Sequence, residues 1–237
     1  MKAPLEFRLR VAYAKEGRGA YLSHLEVIRA LERTVRRATL PYAITQGFSP
    51  HMRIAFGPAL GLGVASRGEY FDLIVTEFVE PTRARARLQD AATDVLPVRD
   101  CAYVPPKDPS LNAACTIFRY EVSGMPLAYT RIDAQTAAIS IEPILILEQK
   151  GKMREFVTAD VLPEGVVQEG ETVRFTIRAS SQATLRPDTL VRYLLGDAVY
   201  AAQAPTLRTV RTEVLTENED GTWQTPLGQA LCAGGIS

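Results

Sequence analysis

The chain of 237 residues is 46% hydrophobic and carries 27 Lys plus Arg against 27 Asp plus Glu, a make-up that suits one large globular domain or two of about 100 residues each. The balanced charge excludes both a uniformly basic nucleic-acid coat and an acidic tail, so recognition of any charged partner must come from how the charges are distributed. No apolar run approaches the roughly 20 residues that cross a bilayer, and the N-terminus MKAPLEFRLR lacks a signal peptide's apolar centre, which predicts a cytoplasmic protein with no membrane partner.

LEFRLRVAYAK alternates apolar and charged residues from Leu5 to Lys15 and predicts a half-buried strand. After the turn EGRG, Ser23 with Glu26 three residues on forms a capping-box pattern, and Leu25, Ile28, Leu31 and Val35 recur at helical spacing to about Ala38. Leu40-Pro41 ends that helix. Short strands are expected at Pro41 to Thr45 and Met52 to Phe56, then a glycine-rich loop, GPALGLGVASRG. EYFDLIVTEF predicts a strand from Glu69 to Phe78 with Tyr70, Asp72, Ile74 and Thr76 facing away from Phe71, Leu73 and Val75. Pro81 opens a helix expected to reach Leu96, Pro97 stops it, and VRDCAYV is a strand.

The fold class read from this order is α+β: a ferredoxin-like βαββαβ unit over residues 1–104, an antiparallel sheet with helices on one face. PPKDPSLN, residues 105–112, reads as a linker. Residues 113–217 predict a second ferredoxin-like α+β unit with an extra hairpin: strand ACTIFRYEVSG, a short helix from Arg131 to Ala138, a hairpin turning at Lys150-Gly151, strand ETVRFTIRAS, a helix between Pro187 and Gly196, and strand LRTVRTEVLTE. Residues 218–237 have no periodicity and form an irregular tail.

Arg29, Arg33, Arg36 and Arg37 lie three and four residues apart and share one helix face, which suits phosphates or a carboxylate-rich partner. The stretch Met1 to Leu60 holds ten basic residues against four acidic ones, an excess cancelled elsewhere. A solvated face partly neutralised by Glu26 and Glu32 is the plainer reading. Both histidines fall in this region. His24 begins the helix, where the positive dipole end favours a neutral ring, though packing at a helix start would also explain it. His51 sits in a Gly/Pro loop beside Arg53, and bonding to loop backbone is its plainer role. Two such rings support general acid–base cleavage of RNA if they face one another, with Arg53 or a helix arginine stabilising the phosphorane. Two histidines without nearby carboxylates make a thin ligand set, so no metal site is expected. Surface placement accounts for Glu69 and Asp72. Cys101, Cys115 and Cys232 are far apart and lack a nearby histidine, so free, mostly buried thiols are expected in place of a zinc site or an iron–sulfur cluster.

SHLE at Ser23 to Glu26, ERTVRRA at Glu32 to Ala38, GFSPHM at Gly47 to Met52 and GEYFD at Gly68 to Asp72 together resemble the motifs, in order, of the radical SAM-linked protein family, a domain of unknown function. RPDTLVRYL and VRTEVL resemble its C-terminal landmarks. Glu26, Ser49 and Met52 stand where the family has Asp, Asn and Pro, and the hairpin segment REFVTADVLP lacks the family's Asp-aliphatic-Arg. With the resemblance, Ser23, His24, Arg29, Arg33, Arg36, Arg37, Gly47, Phe48, His51, Arg53, Glu69 and Tyr70 are the candidate substrate-binding residues, without known roles. The resemblance also implies a partner: a radical SAM protein that carries the iron–sulfur cluster, S-adenosylmethionine and cobalamin, with no cofactor in this chain.

The expectation for function is therefore an accessory, substrate-presenting protein that binds an anionic macromolecule, structured RNA or a ribosome-related assembly, in a groove where His24 and His51 meet. The alternatives are a metal-independent endoribonuclease of the tandem ferredoxin-like type, by fold analogy alone, and a scaffold that binds only protein.

Overall fold

The computed structural model describes residues 6–125, 130–180 and 184–228. They form two compact units, one drawn from Met1–Cys115 and Val214–Ser237 and the other from Thr116–Glu213. The first runs β1 (Phe7–Lys15), a 3-10 turn (Gly17–Tyr21), α1 (His24–Arg37), β2 (Ile54–Phe56), β3 (Ala65–Val75), α2 (Pro81–Ala91), β4 (Val98–Val104) and a short α3 (Leu111–Ala114).

β1 pairs antiparallel with β3 and β4, and β2 with β3, so the strand order is β4-β1-β3-β2. This is the ferredoxin-like arrangement of a βαββαβ unit. The register sets Leu9 opposite Leu73 and Val11 opposite Phe71, so one face of the sheet is apolar. Val27, Leu31 and Val35 of α1 and Ala84 and Leu88 of α2 close over that face in one core.

The buried stripe of α1 is Val27, Leu31, Thr34 and Val35, continued by Ala38, and it does not start from Leu25, which is 63% exposed. At 100° per residue Leu25 lies about 160° from Val27, so the two cannot share a face. Pro41 to Thr45 makes only single bridges, Tyr42 to Val75 and Ile44 to Met52. α2 stops at Ala91, five residues before the expected end. A turn in which the Leu96 amide donates to the Thr93 carbonyl at 3.0 Å then drops Leu96 into the core.

The opposite face of the sheet carries charge. Arg8 and Arg10 of β1 both reach Asp72 of β3, which is 3% exposed and not a surface residue. The arginines also donate to the carbonyls of Asp108, Pro109 and Pro226, which lays the chain after β4 and the C-terminal stretch over this face.

The second unit contains β5 (Cys115–Ser123), α4 (Thr130–Ile141), β6 (Ile144–Gln149), β7 (Lys152–Val157), a short α5 (Thr158–Val161), β8 (Val166–Glu169), β9 (Thr172–Arg178), α6 (Pro187–Leu195), α7 (Asp197–Gln203) and the first part of β10 (Arg208–Glu217). Its strand order is β10-β5-β9-β8, the same ferredoxin-like order, and β6–β7 is an inserted hairpin paired only with itself among the described residues. β8, α5 and α7 are too short to print a period in the sequence. The last strand, β11 (Trp223–Gln224), folds back on Thr216 and Glu217 of β10. Asp220 sets that turn by accepting from the Thr222 amide and hydroxyl.

Candidate functional site

The core stripe of α1 points its other face to solvent, and Arg29, Arg33, Arg36 and Arg37 are all exposed there. Ser23 starts the helix by accepting from the Glu26 amide at 3.4 Å, while the Glu26 carboxylate accepts from the Ser23 amide at 2.8 Å. Those bonds from Ser23, with a further contribution from Arg29, hold the Glu26 carboxyl below its ordinary range. Arg36 reaches Glu32 at 3.4 Å. Among the described residues Arg33 and Arg37 have no ion-pair partner.

α2 packs beside α1 and adds Arg83, Arg85 and Arg87, the first two exposed. The two helices thus carry seven arginines against Glu26, Glu32 and Asp90. The arginines of PTRARARLQDA were missed as site candidates in the sequence, although the i, i+4 spacing of Arg83 and Arg87 was a signal for a shared helix face. Arg85 leans on Asp100 at 3.6 Å, while among the described residues no ion pair ties down Arg83 or Arg87.

Gly47, Phe48 and His51 belong to a tight loop. The Thr45 amide donates to the His51 carbonyl at 2.8 Å, and the His51 amide to Thr45 Oγ1 at 3.1 Å. Gly47 turns the chain at φ 128°, a region that favours glycine. His51 Nδ1 lies 3.0 Å from the Ser49 carbonyl and 3.2 Å from Thr45 Oγ1; the first contact needs hydrogen on Nδ1, so in the neutral ring Nε2 carries the lone pair. Phe48 is fully exposed at the loop tip. Arg53, just before β2, is ion-paired to Glu6 at 2.5 Å.

His24 occupies a different setting. Its ring meets Phe56 edge-on at 6.0 Å and lines a small recess with Tyr13, Lys15, Glu69 and the Gly57 to Leu60 turn. Glu69, 5% exposed and not the surface residue expected, accepts from Ser66 Oγ at 2.6 Å. Lys15, also buried, donates from Nζ to the Ala20 carbonyl at 3.1 Å. The fold thus joins SHLE to GEYFD: His24 and Glu69 face one recess, while buried Tyr70 points to the other side of β3. No hydrogen bond or ring contact joins His24 to His51. Five residue steps, at most about 16 Å of chain, separate His51 from Phe56, the ring that His24 meets. Among the described residues no three His, Cys, Asp or Glu side chains cluster as metal ligands. Cys101 and Cys115 are buried thiols outside any disulfide.

These features define a tandem ferredoxin-like protein whose first unit bears a basic helical face, an aromatic loop tip and a polar recess. Residues 8–187 match the model of a family described as an uncharacterized protein conserved in bacteria (DUF2344). The match spans more than half of the chain, and the protein belongs to that family. No curated protein matches it. Among solved structures it is similar to the crystal structure of an unknown protein from Galdieria sulphuraria, 10% identical, with a TM-score of 0.26 over 86% of this chain and 96% of that one.

Proposed function

We propose that the protein is a substrate-presenting partner of a radical SAM enzyme and holds an anionic macromolecule, structured RNA, on its first unit. The observation that carries the reading is the outer face of α1 and α2, where Arg33, Arg37, Arg83 and Arg87 have no ion pair among the described residues. Free guanidiniums are the groups that bind phosphates bidentately. Phe48 supports it, since an exposed aromatic at a rigid loop tip offers a base a stacking platform. His51 is exposed beside it, and its neutral ring can take a hydrogen bond from a 2′-hydroxyl at Nε2.

The support for the enzyme partner is the resemblance of the four ordered motifs to the radical SAM-linked family. In this reading the partner supplies the iron–sulfur cluster, S-adenosylmethionine and cobalamin, and this chain supplies the grip on the substrate. The test is recovery of the tagged protein from its native cytoplasm with and without ribonuclease. Co-recovery of a cobalamin-type radical SAM protein, with RNA that Arg33→Ala/Arg36→Ala releases, is expected. RNA binding indifferent to that pair of substitutions overturns the basic face as the site. Magnesium-independent RNA cleavage that His51→Ala abolishes would instead make the protein a nuclease.

A further inference from the structure

The β6–β7 hairpin interrupts the second ferredoxin-like unit and adds no strand to its sheet. Its inner side chains Leu145, Leu147 and Phe156 are buried. Gln149 fastens it to the start of α6, donating to the Thr184 carbonyl at 3.1 Å and accepting from the Arg186 amide at 2.9 Å. The alternate side chains form the other face: Ile144 pairs across with Val157, Ile146 with Glu155 and Glu148 with Met153. All four apolar members of that face are 48% to 66% exposed. A two-stranded hairpin that kept four large apolar groups in water would carry a cost with no return to the fold.

Ile146, Glu148 and Met153 form one wall of a groove of about 530 Å³, and Arg192, Tyr193 and Val199 of the α6–α7 elbow contribute to the other. That is the volume class of real binding clefts. Its electrostatics select the occupant. The charged groups that line the groove are two carboxylates, Glu148 and Asp197, against one guanidinium, Arg192, which Asp197 engages at 2.6 Å and Glu148 also attracts; Glu155, opposite Ile146 on the outer face of the hairpin, lies outside the groove. The uncompensated charge is therefore negative, which disfavours a phosphate polymer and favours Lys or Arg beside apolar contacts. This chain's own basic amphipathic helix, α1, buries its apolar stripe in its own core, so a second copy does not offer the complement.

We propose that this groove docks an amphipathic helix of a partner protein, with apolar side chains at i, i+3, i+4 and i+7 and lysines or arginines flanking them. The inference does not rest on the RNA reading, which concerns the other unit.

The probe is a fluorescein-labelled model helix of about 14 residues, leucine at those spacings and lysine elsewhere, with a glutamate-for-lysine twin, titrated against the full chain by fluorescence anisotropy. Saturable binding of the lysine peptide is expected, weakened about tenfold or more by Ile146→Asp and by Met153→Asp, with the glutamate twin weaker by a similar factor. Ile146 and Met153 are exposed, so these variants should fold, and circular dichroism checks that they do. Glu148→Lys should reverse the preference between the peptides. No binding of either peptide, or binding that Ile146→Asp leaves unchanged, overturns the proposal. So does a dimer in sedimentation that Ile146→Asp dissociates, because the face then belongs to a second copy.

Discussion

Arg10 grips Asp72 across the β1–β3 pair with two parallel hydrogen bonds, Nε to Oδ1 at 2.7 Å and Nη2 to Oδ2 at 3.0 Å. Arg8 adds a second guanidinium to the same carboxylate, its Nε 2.8 Å from Oδ2. Burial by itself would lower the Arg10 guanidinium, but the bonds and attraction to Asp72 outweigh it and raise the group above its ordinary value. Two cations on one anion leave a net positive charge, which the carbonyls of Asp108, Pro109 and Pro226 disperse at 2.7, 2.9 and 3.0 Å.

Removing the shared anion should therefore cost far more than removing one cation. Asp72→Asn leaves two guanidiniums facing each other out of water, and a loss of about 3–5 kcal/mol in urea unfolding is expected. Arg10→Met, which keeps the Arg8–Asp72 pair and refills the volume, should cost less. A loss below about 1 kcal/mol for Asp72→Asn would mean that water reaches the site.

Cys101 should make the protein sensitive to alkali. Its thiol, 5% exposed, is pushed up to about 11 by burial first and then by the Asp100 carboxylate. The unfolded thiol titrates near its ordinary 9.0, so the unfolded state sheds its proton before the native state does. The stability contribution is complete below pH 9 and is lost as pH rises towards 11. Tyr103, also raised by burial, loses stability in the same direction. The check is thus a difference: urea midpoints on both sides of this window should fall less for Cys101→Ala than for the parent.

On the first unit, phosphate grip and base stacking should separate. Arg33→Ala and Arg37→Ala are each expected to weaken RNA binding and reduce the slope of log K against log salt by about 1. Phe48→Ala should cost about 1–3 kcal/mol in binding with the slope unchanged. Filter binding over a salt series reads both quantities. An unchanged affinity in Phe48→Ala would leave the loop tip without a stacking role.

The hairpin turn offers a test confined to the second unit. Lys150 and Gly151 both have positive φ, 54° and 72°, the pattern of a type I′ turn that suits Asn-Gly. Gly151→Ala should cost about 1 kcal/mol or more, and Lys150→Asn should gain a fraction of that. Because β6 and β7 pair only with each other among the described residues, the loss should register in amide exchange of the hairpin before it shows in global unfolding.

Local periodicity and punctuation determined most of the elements. Alternation in FRLRVAYAK, the Ser23–Glu26 cap, Pro81 and Pro187 at helix starts and Lys150-Gly151 at the turn each act within a few residues, so a linear reading finds them. The shared face of the α1 arginines followed from the helical period alone. What depends on contacts between distant segments was decided only by tertiary structure. A strand's period says that Asp72 and Leu73 face opposite ways, but not that the far side of the sheet is covered. Arg8, Arg10 and the carbonyls 36 or more residues beyond Asp72 in the chain take that carboxylate out of water. The recess is likewise nonlocal, since His24, Lys15 and Glu69 come from a helix start and two strands. The β6–β7 hairpin was legible as a hairpin, yet its apolar outer face and groove come from the placement of α6 and α7, because only packing decides which of two alternating faces is buried.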